Sequence, residues 1–108
     1  MIYELRVYHC APQKLPDLNK RFQSTTLGFW QKHGIEQVGF FTTVIGESNQ
    51  SLTYLLKWQS LAEREQKWNA FSNDPDWIKA RAETEKEGII VERIENTILA
   101  PTNYSLMK

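Results

Sequence analysis

The chain has 108 residues, and its 13 basic and 13 acidic side chains cancel to zero net charge. That length suits one domain spanning residues 1–108, able to hide roughly two-thirds of its unfolded surface without metal or disulfide staples. A balanced chain has no long-range field to draw in nucleic acid or an anionic membrane, so neither is an expected partner, and self-association goes unopposed.

From the start, Tyr3, Leu5 and Val7 alternate with Glu4, Arg6 and Tyr8, so Ile2 to His9 reads as a strand. No signal peptide, transit peptide or membrane span is expected before it. The single cysteine, Cys10, excludes an internal disulfide, and the expected location is the cytoplasm. Ala11-Pro12 breaks the strand. Apolar residues then recur at Leu15, Leu18, Phe22, Phe29 and Trp30, close to helical period, with Pro16 in the first turn and Gly34 as the C-terminal stop.

Ile35 to Ile45 and Ser51 to Trp58 are β-rich runs joined by Gly46-Glu47-Ser48-Asn49-Gln50, which predicts a hairpin with a long loop. The first arm would reach about 35 Å at roughly 3.3 Å per residue, so a bulge near Gly39 is expected. Ser60-Leu61-Ala62-Glu63 has the form of a capping box, and Leu61, Trp68 and Phe71 follow on one helix face. Asp74-Pro75 ends that helix and starts another, with Asp74 as cap, running to Gly88. Ile89 to Leu99 is the last strand, and residues 100–108 form a tail.

This order predicts an α+β, ferredoxin-like βαββαβ fold with a four-stranded antiparallel sheet and a broken second helix. Leu52, Tyr54, Leu56 and Trp58 fill one strand face while Leu55 lies on the other. Val38, Phe40 and Val44 oppose Phe41 and Ile45, and Ile90, Ile94 and Ile98 oppose Ile89, Val91 and Leu99. Apolar residues on both faces require cover on both. Helices supply one layer, and a two-fold dimer forming an α+β barrel supplies the other.

Tyr3-Glu4-Leu5-Arg6-x-Tyr8, His33-Gly34-Ile35, Val38-Gly39-Phe40 and Ile45-Gly46 resemble the NIPSNAP family. So do Tyr54-Leu55-Leu56-x-Trp58, Arg64-Glu65 through Trp68 and Phe71, Asp74-Pro75-x-Trp77, and Leu99-x-Pro101-x-x-Tyr104-Ser105. The resemblance runs almost end to end and is that of a short, bacterial-type, single-domain member. It implies a dimeric α+β barrel. Animal relatives carry two such regions with a mitochondrial targeting segment and are associated with vesicular trafficking. The resemblance implies no reaction.

Several groups are candidates for chemistry. Glu4, Arg6 and Tyr8 share a strand face, and Lys57, Arg93 and Glu95 occupy strands that could neighbour it. If this face lines the barrel between subunits, the charges must pair as an ion network, or form a pocket for an anionic or polar small molecule with Arg6 as a forked donor. Arg64 and Glu65 diverge on their helix, so one is expected to anchor it to the sheet. Trp30, Trp58, Trp68, Trp77, Tyr54 and Phe71 read chiefly as core.

In related barrels the crevice between helices and sheet admits aromatic ligands, and cofactor-independent monooxygenases look similar. Here Trp68, Asn69 and Arg93 are the set that could stabilise a substrate anion. His9 and His33 with Cys10 make no metal spacing, and no phosphate loop or nucleophile elbow occurs, so no cofactor is expected. The reading is a homodimeric module that binds a small apolar or aromatic ligand or a protein partner, with such an oxygenase as the alternative. The candidate ligand-binding residues are Arg6, Tyr8, His9, Tyr54, Trp58, Trp68, Asn69 and Arg93. A cavity that gathers polar groups would favour small-molecule chemistry over a plain interaction surface.

Overall fold

Strand β1 (Ile2–Cys10) lies at the centre of a four-stranded antiparallel sheet in a computed structural model that describes residues 1–108. It is followed by α1 (Leu15–Arg21), a wide π turn (Phe22–Thr26) and α2 (Leu27–His33). Next come β2 (Glu36–Thr42), β3 (Ser51–Trp58), α3 (Leu61–Ser72), α4 (Pro75–Thr84) and β4 (Val91–Leu99). The sheet order β2-β3-β1-β4 is that of a ferredoxin-like fold.

Local signals account for the element ends. Gly34 closes α2 in the left-handed region at φ 72°, where a side chain would be strained. Ser60 accepts a hydrogen bond from the Glu63 amide, 3.1 Å, while the Glu63 carboxylate reaches back to the Gln59 amide rather than to the cap residue itself. Asp74 caps α4 through the Asp76 amide and also accepts from Lys32 Nζ, 2.8 Å, and bonds His33 Nε2, 2.7 Å. One carboxylate therefore clasps the end of α2 to the start of α4.

Two strand boundaries depart from the sequence reading. β2 ends at Thr42, not Ile45, because its last ladder partner on β3 is Leu52. Val44 and Ile45 lie in the connecting loop, almost wholly exposed. β4 starts at Val91, so Ile89 and Ile90 precede it, and α4 stops at Thr84, short of Gly88. The expected bulge is present, with a register shift between Gln37 and Gly39.

Cross-strand pairing puts Glu4 opposite Leu56, Arg6 opposite Tyr54 and Tyr8 opposite Leu52. These belong to the helix-covered face. The reading of Glu4, Arg6 and Tyr8 as lining a space between subunits is thus corrected: they lie beneath this chain's own helices. Lys57, Arg93 and Glu95 fall on the opposite face, by pairing with Tyr3, His9 and Val7.

Under the helices the core is largely aromatic. Phe22 packs on Trp30 and Tyr54 with ring centres 5.4 Å apart in each case, and Phe71 on Trp77 at 4.8 Å. The molecule is only 19 Å thick, the depth of one sheet and one helix layer. The other sheet face carries Leu5, Val7 and Leu55 with Phe41 and Leu99; no helix covers it, and the C-terminal tail reaches only its edge, where the Tyr3 hydroxyl donates to the Lys108 carbonyl at 2.7 Å.

Candidate ligand cleft between helices and sheet

Glu4, Arg6 and Tyr8 stand two residues apart on β1, so their side chains form a row under the helices. Glu4 is fully buried and accepts five hydrogen bonds. They come from Arg6 Nη1 at 2.8 Å, Arg64 Nε at 2.8 Å and Nη2 at 3.0 Å, Trp58 Nε1 at 3.0 Å and Asn96 Nδ2 at 3.0 Å. Burial alone would raise the Glu4 pKa. The donors, Arg64 and Asn96 foremost and then Arg6, outweigh it and hold the value at about 2. The carboxylate is thus a fixed anion that pins α3, through Arg64, to the sheet.

Arg6 comes next along the row. Its guanidinium carbon sits 4.4 Å from the Trp68 ring centre and 5.6 Å from that of Tyr8, a cation between two aromatic faces. Its Nε is buried with no hydrogen-bond partner. Tyr54 donates its hydroxyl to that of Tyr8 at 2.8 Å. Burial first, and then the neighbouring Tyr8, push the Tyr54 phenol well above its ordinary pKa, so it remains a protonated donor.

A cleft of about 180 Å³ opens beside this row, between the sheet and the helices. Arg6, Tyr8 and Trp68 line one side; Phe71, Trp77 and Arg81 come from α3 and α4. The remaining wall is built by the π turn. Leu18, Phe22, Thr26 and Trp30 recur every four residues, a spacing that drifts around a regular α-helix. The wider turn at Phe22–Thr26 holds them in line, which sets Arg21, Phe22, Thr26 and Trp30 against the cleft. Inserted π turns of this kind often shape functional sites.

Arg21 is 6% exposed and donates Nη1 to Glu85 Oε1 at 3.0 Å, and Arg81 Nε meets the same oxygen at 3.2 Å. Arg21 Nε and Trp30 Nε1 are buried without partners. No carboxylate, imidazole or thiol lines the cleft. It offers guanidinium donors, the hydroxyls of Tyr8, Thr26 and Ser72, and apolar surface, which together can bind and orient a molecule.

Of the eight residues singled out from sequence, Arg6, Tyr8 and Trp68 line this cleft. Tyr54 and Trp58 are buried beneath it, bonded to Tyr8 and Glu4. His9 and Arg93 face the other side of the sheet, where His9 Nε2 is 2.6 Å from Glu95 and its Nδ1 3.2 Å from Ser51 Oγ. The His9 hydrogen bond holds the Glu95 carboxyl below its usual range. Asn69 is exposed on α3. Trp68, Asn69 and Arg93 therefore do not converge, and the proposed oxygenase set is dispersed over two faces. Sequence reasoning missed Arg21. The signal was available, since an arginine there sits beside Phe22 on the buried side of an apolar helix.

These features define a ferredoxin-like α+β protein with a small aromatic cleft between its helix layer and its sheet. The NIPSNAP family model matches residues 3–106, and the chain belongs to the NIPSNAP family. A NIPSNAP family protein with unknown function from Agrobacterium tumefaciens is 25% identical with a TM-score of 0.86, covering 100% of this chain and 94% of that one. A NIPSNAP-like domain protein from Burkholderia xenovorans is 22% identical at TM-score 0.84, covering 96% and 87%. A protein from Mycobacterium tuberculosis, 12% identical with TM-score 0.60 over 94% and 95%, shares the fold alone. No curated protein matches the chain. No helix is long and apolar enough to cross a membrane.

Proposed function

We propose that this NIPSNAP protein is a small-molecule-binding module that works as a homodimer of one-domain chains in the cytoplasm. The observation that carries the binding half is the cleft of about 180 Å³, eight of whose lining residues are hydrophobic, Tyr8 among them, with Arg6 beside them. Ligand sites are concave and mainly apolar, with a few fixed polar groups for orientation. The volume lies below the usual range for drug-sized ligands, so the occupant is a small apolar or aromatic compound. A bare protein-interaction role explains the cleft less well. The oxygenase alternative has less support, because Asn69 is exposed and Arg93 lies on the far face.

The dimer is supported by the uncovered sheet face, where Leu5 pairs with Leu55 and Val7 adjoins them. A second copy offers a matching surface, apolar at Leu5, Val7 and Leu55, with Lys57, Arg93 and Glu95 of the same face left to pair or reach solvent. A cytoplasmic setting accords with one buried thiol and no disulfide.

A thermal-shift screen against phenols, quinols and small acyl compounds tests the first half. A ligand-dependent rise in melting temperature that Trp68→Ala abolishes is expected, and no shift with any compound would overturn the reading. Light scattering at low micromolar concentration tests the second half, and a mass of one chain would overturn the dimer.

A further inference from the structure

The ion pairs on either side of the cleft do not balance. Glu4 is shared by Arg6, at 2.8 Å, and Arg64, at 2.8 Å. Glu85 is shared by Arg21, at 3.0 Å, and Arg81, at 3.2 Å. Each cluster sets two guanidiniums against one carboxylate, and each keeps one positive charge in excess. Arg6, Arg21 and Arg81 all line the cleft, and no acidic residue does. In a chain with zero net charge this concentration of cations at one small apolar hollow is local, not general.

The hydrogen-bond inventory points the same way. Arg6 and Arg21 are each 6% exposed, and each has a buried Nε–H with no acceptor. A buried donor left unmade is costly, more so when charged, so two of them on residues that line one cleft favour an acceptor there. Burial would lower the Arg6 pKa, yet the charge and hydrogen bond of the Glu4 carboxylate keep it above its ordinary value, so the cation persists. Most of the rest of the lining, including Trp68, Phe71 and Trp77, is aromatic.

We propose that the cleft takes a small organic anion, a carboxylate on an aromatic or apolar body, whose oxygens accept from Arg6 and Arg21 while its ring packs among the tryptophans. Guanidinium groups match the planar carboxylate and bind it through charge-assisted hydrogen bonds. This rests on the cleft being a ligand site and adds the charge of the ligand. The volume, about six waters at roughly 30 Å³ each, suits a body near the size of a single substituted ring.

The test is calorimetric titration of the full chain with benzoate, benzyl alcohol and phenyl phosphate at constant ionic strength. Benzoate is expected to bind at least tenfold more tightly than benzyl alcohol. Arg21→Gln is expected to remove most of that preference while leaving the circular dichroism spectrum unchanged. Equal affinity for benzoate and benzyl alcohol would overturn the anion assignment and leave the cleft reading intact. Phenyl phosphate binding more tightly than benzoate would overturn the carboxylate as head group. Binding of none of the three would sink both this inference and the ligand-site reading. The wild-type comparison decides the matter even if Arg21→Gln does not fold.

Discussion

Arg64 closes on Glu4 as a two-toothed clamp, with Nε 2.8 Å from one carboxylate oxygen and Nη2 3.0 Å from the other. The first residue belongs to helix α3 and the second to central strand β1, 60 positions apart in the chain. Because Glu4 is fully buried, its charge exists only by virtue of its donors. Removing it by Glu4→Gln leaves Arg6 buried without a counter-ion. The expected loss is about 3–5 kcal/mol of unfolding free energy, read from urea midpoints. Arg64 is partly open to water, so Arg64→Ala should cost less, roughly 1–3 kcal/mol. A loss under about 1 kcal/mol for Glu4→Gln would mean that the network is not what joins helix to sheet.

Acid should reveal the same group. The Glu4 carboxyl has a folded pKa of about 2 against an ordinary 4.5, so the folded state binds fewer protons than the unfolded chain between those values. Its stabilising contribution is complete above about pH 4.5 and disappears as pH falls toward 2. The difference in stability between the wild type and Glu4→Gln should hold steady from pH 7 to 5 and narrow below that. A difference that shrinks already between pH 7 and 5 would assign the effect to another group.

The uncovered sheet face makes a prediction about mass rather than stability. Leu55 and Leu5 pair across β3 and β1 on this face, away from the helices and the cleft. Leu55→Glu puts a charge at its centre, where a matching subunit would bury two carboxylates face to face. Light scattering at low micromolar concentration should fall from two chain masses to one, with the circular dichroism spectrum of the folded chain retained. An unchanged mass would locate the contact elsewhere.

Element order, the αL stop at Gly34, the Asp74 cap and the Gly39 bulge could be read from the chain because each is a local signal. A proline, a capping side chain or a period of two carries its meaning within a few residues. That one of Arg64 and Glu65 anchors the helix was also visible, since adjacent helical charges cannot face one partner, but not that it is Arg64. What could not be read is which face of β1 the helices cover. Glu4, Arg6 and Tyr8 on one side and Tyr3, Leu5 and Val7 on the other are both plausible interiors by pattern, and the polar row is the one that was buried. The decision is made by partners distant in sequence, Arg64 and Asn96, which satisfy the buried Glu4 carboxylate. The same nonlocality scattered Trp68, Asn69 and Arg93, neighbours only on paper. Arg21 was missed although its place beside Phe22 on the apolar side of its helix was legible; the π turn that turns it toward the cleft was not.

Two glycines in adjoining positions of the fold separate backbone need from habit. Gly28 lies in α2, where a Cβ would meet nothing within 4 Å. Glycine in a helix interior costs the folded state backbone entropy, so Gly28→Ala should stabilise by roughly 0.5–1 kcal/mol. Gly34 has φ 72°, and a Cβ there would also approach Lys67 Nζ at 3.3 Å. That ammonium donates to the Gly34 carbonyl at 3.2 Å, tying the end of α2 to α3. Gly34→Ala should therefore destabilise by about 1–2 kcal/mol, since the left-handed conformation is strained for any residue with a Cβ. The same one-carbon change would move the thermal midpoint up at position 28 and down at position 34. Shifts of the same sign at both would show that conformational preference does not set the ends of this helix.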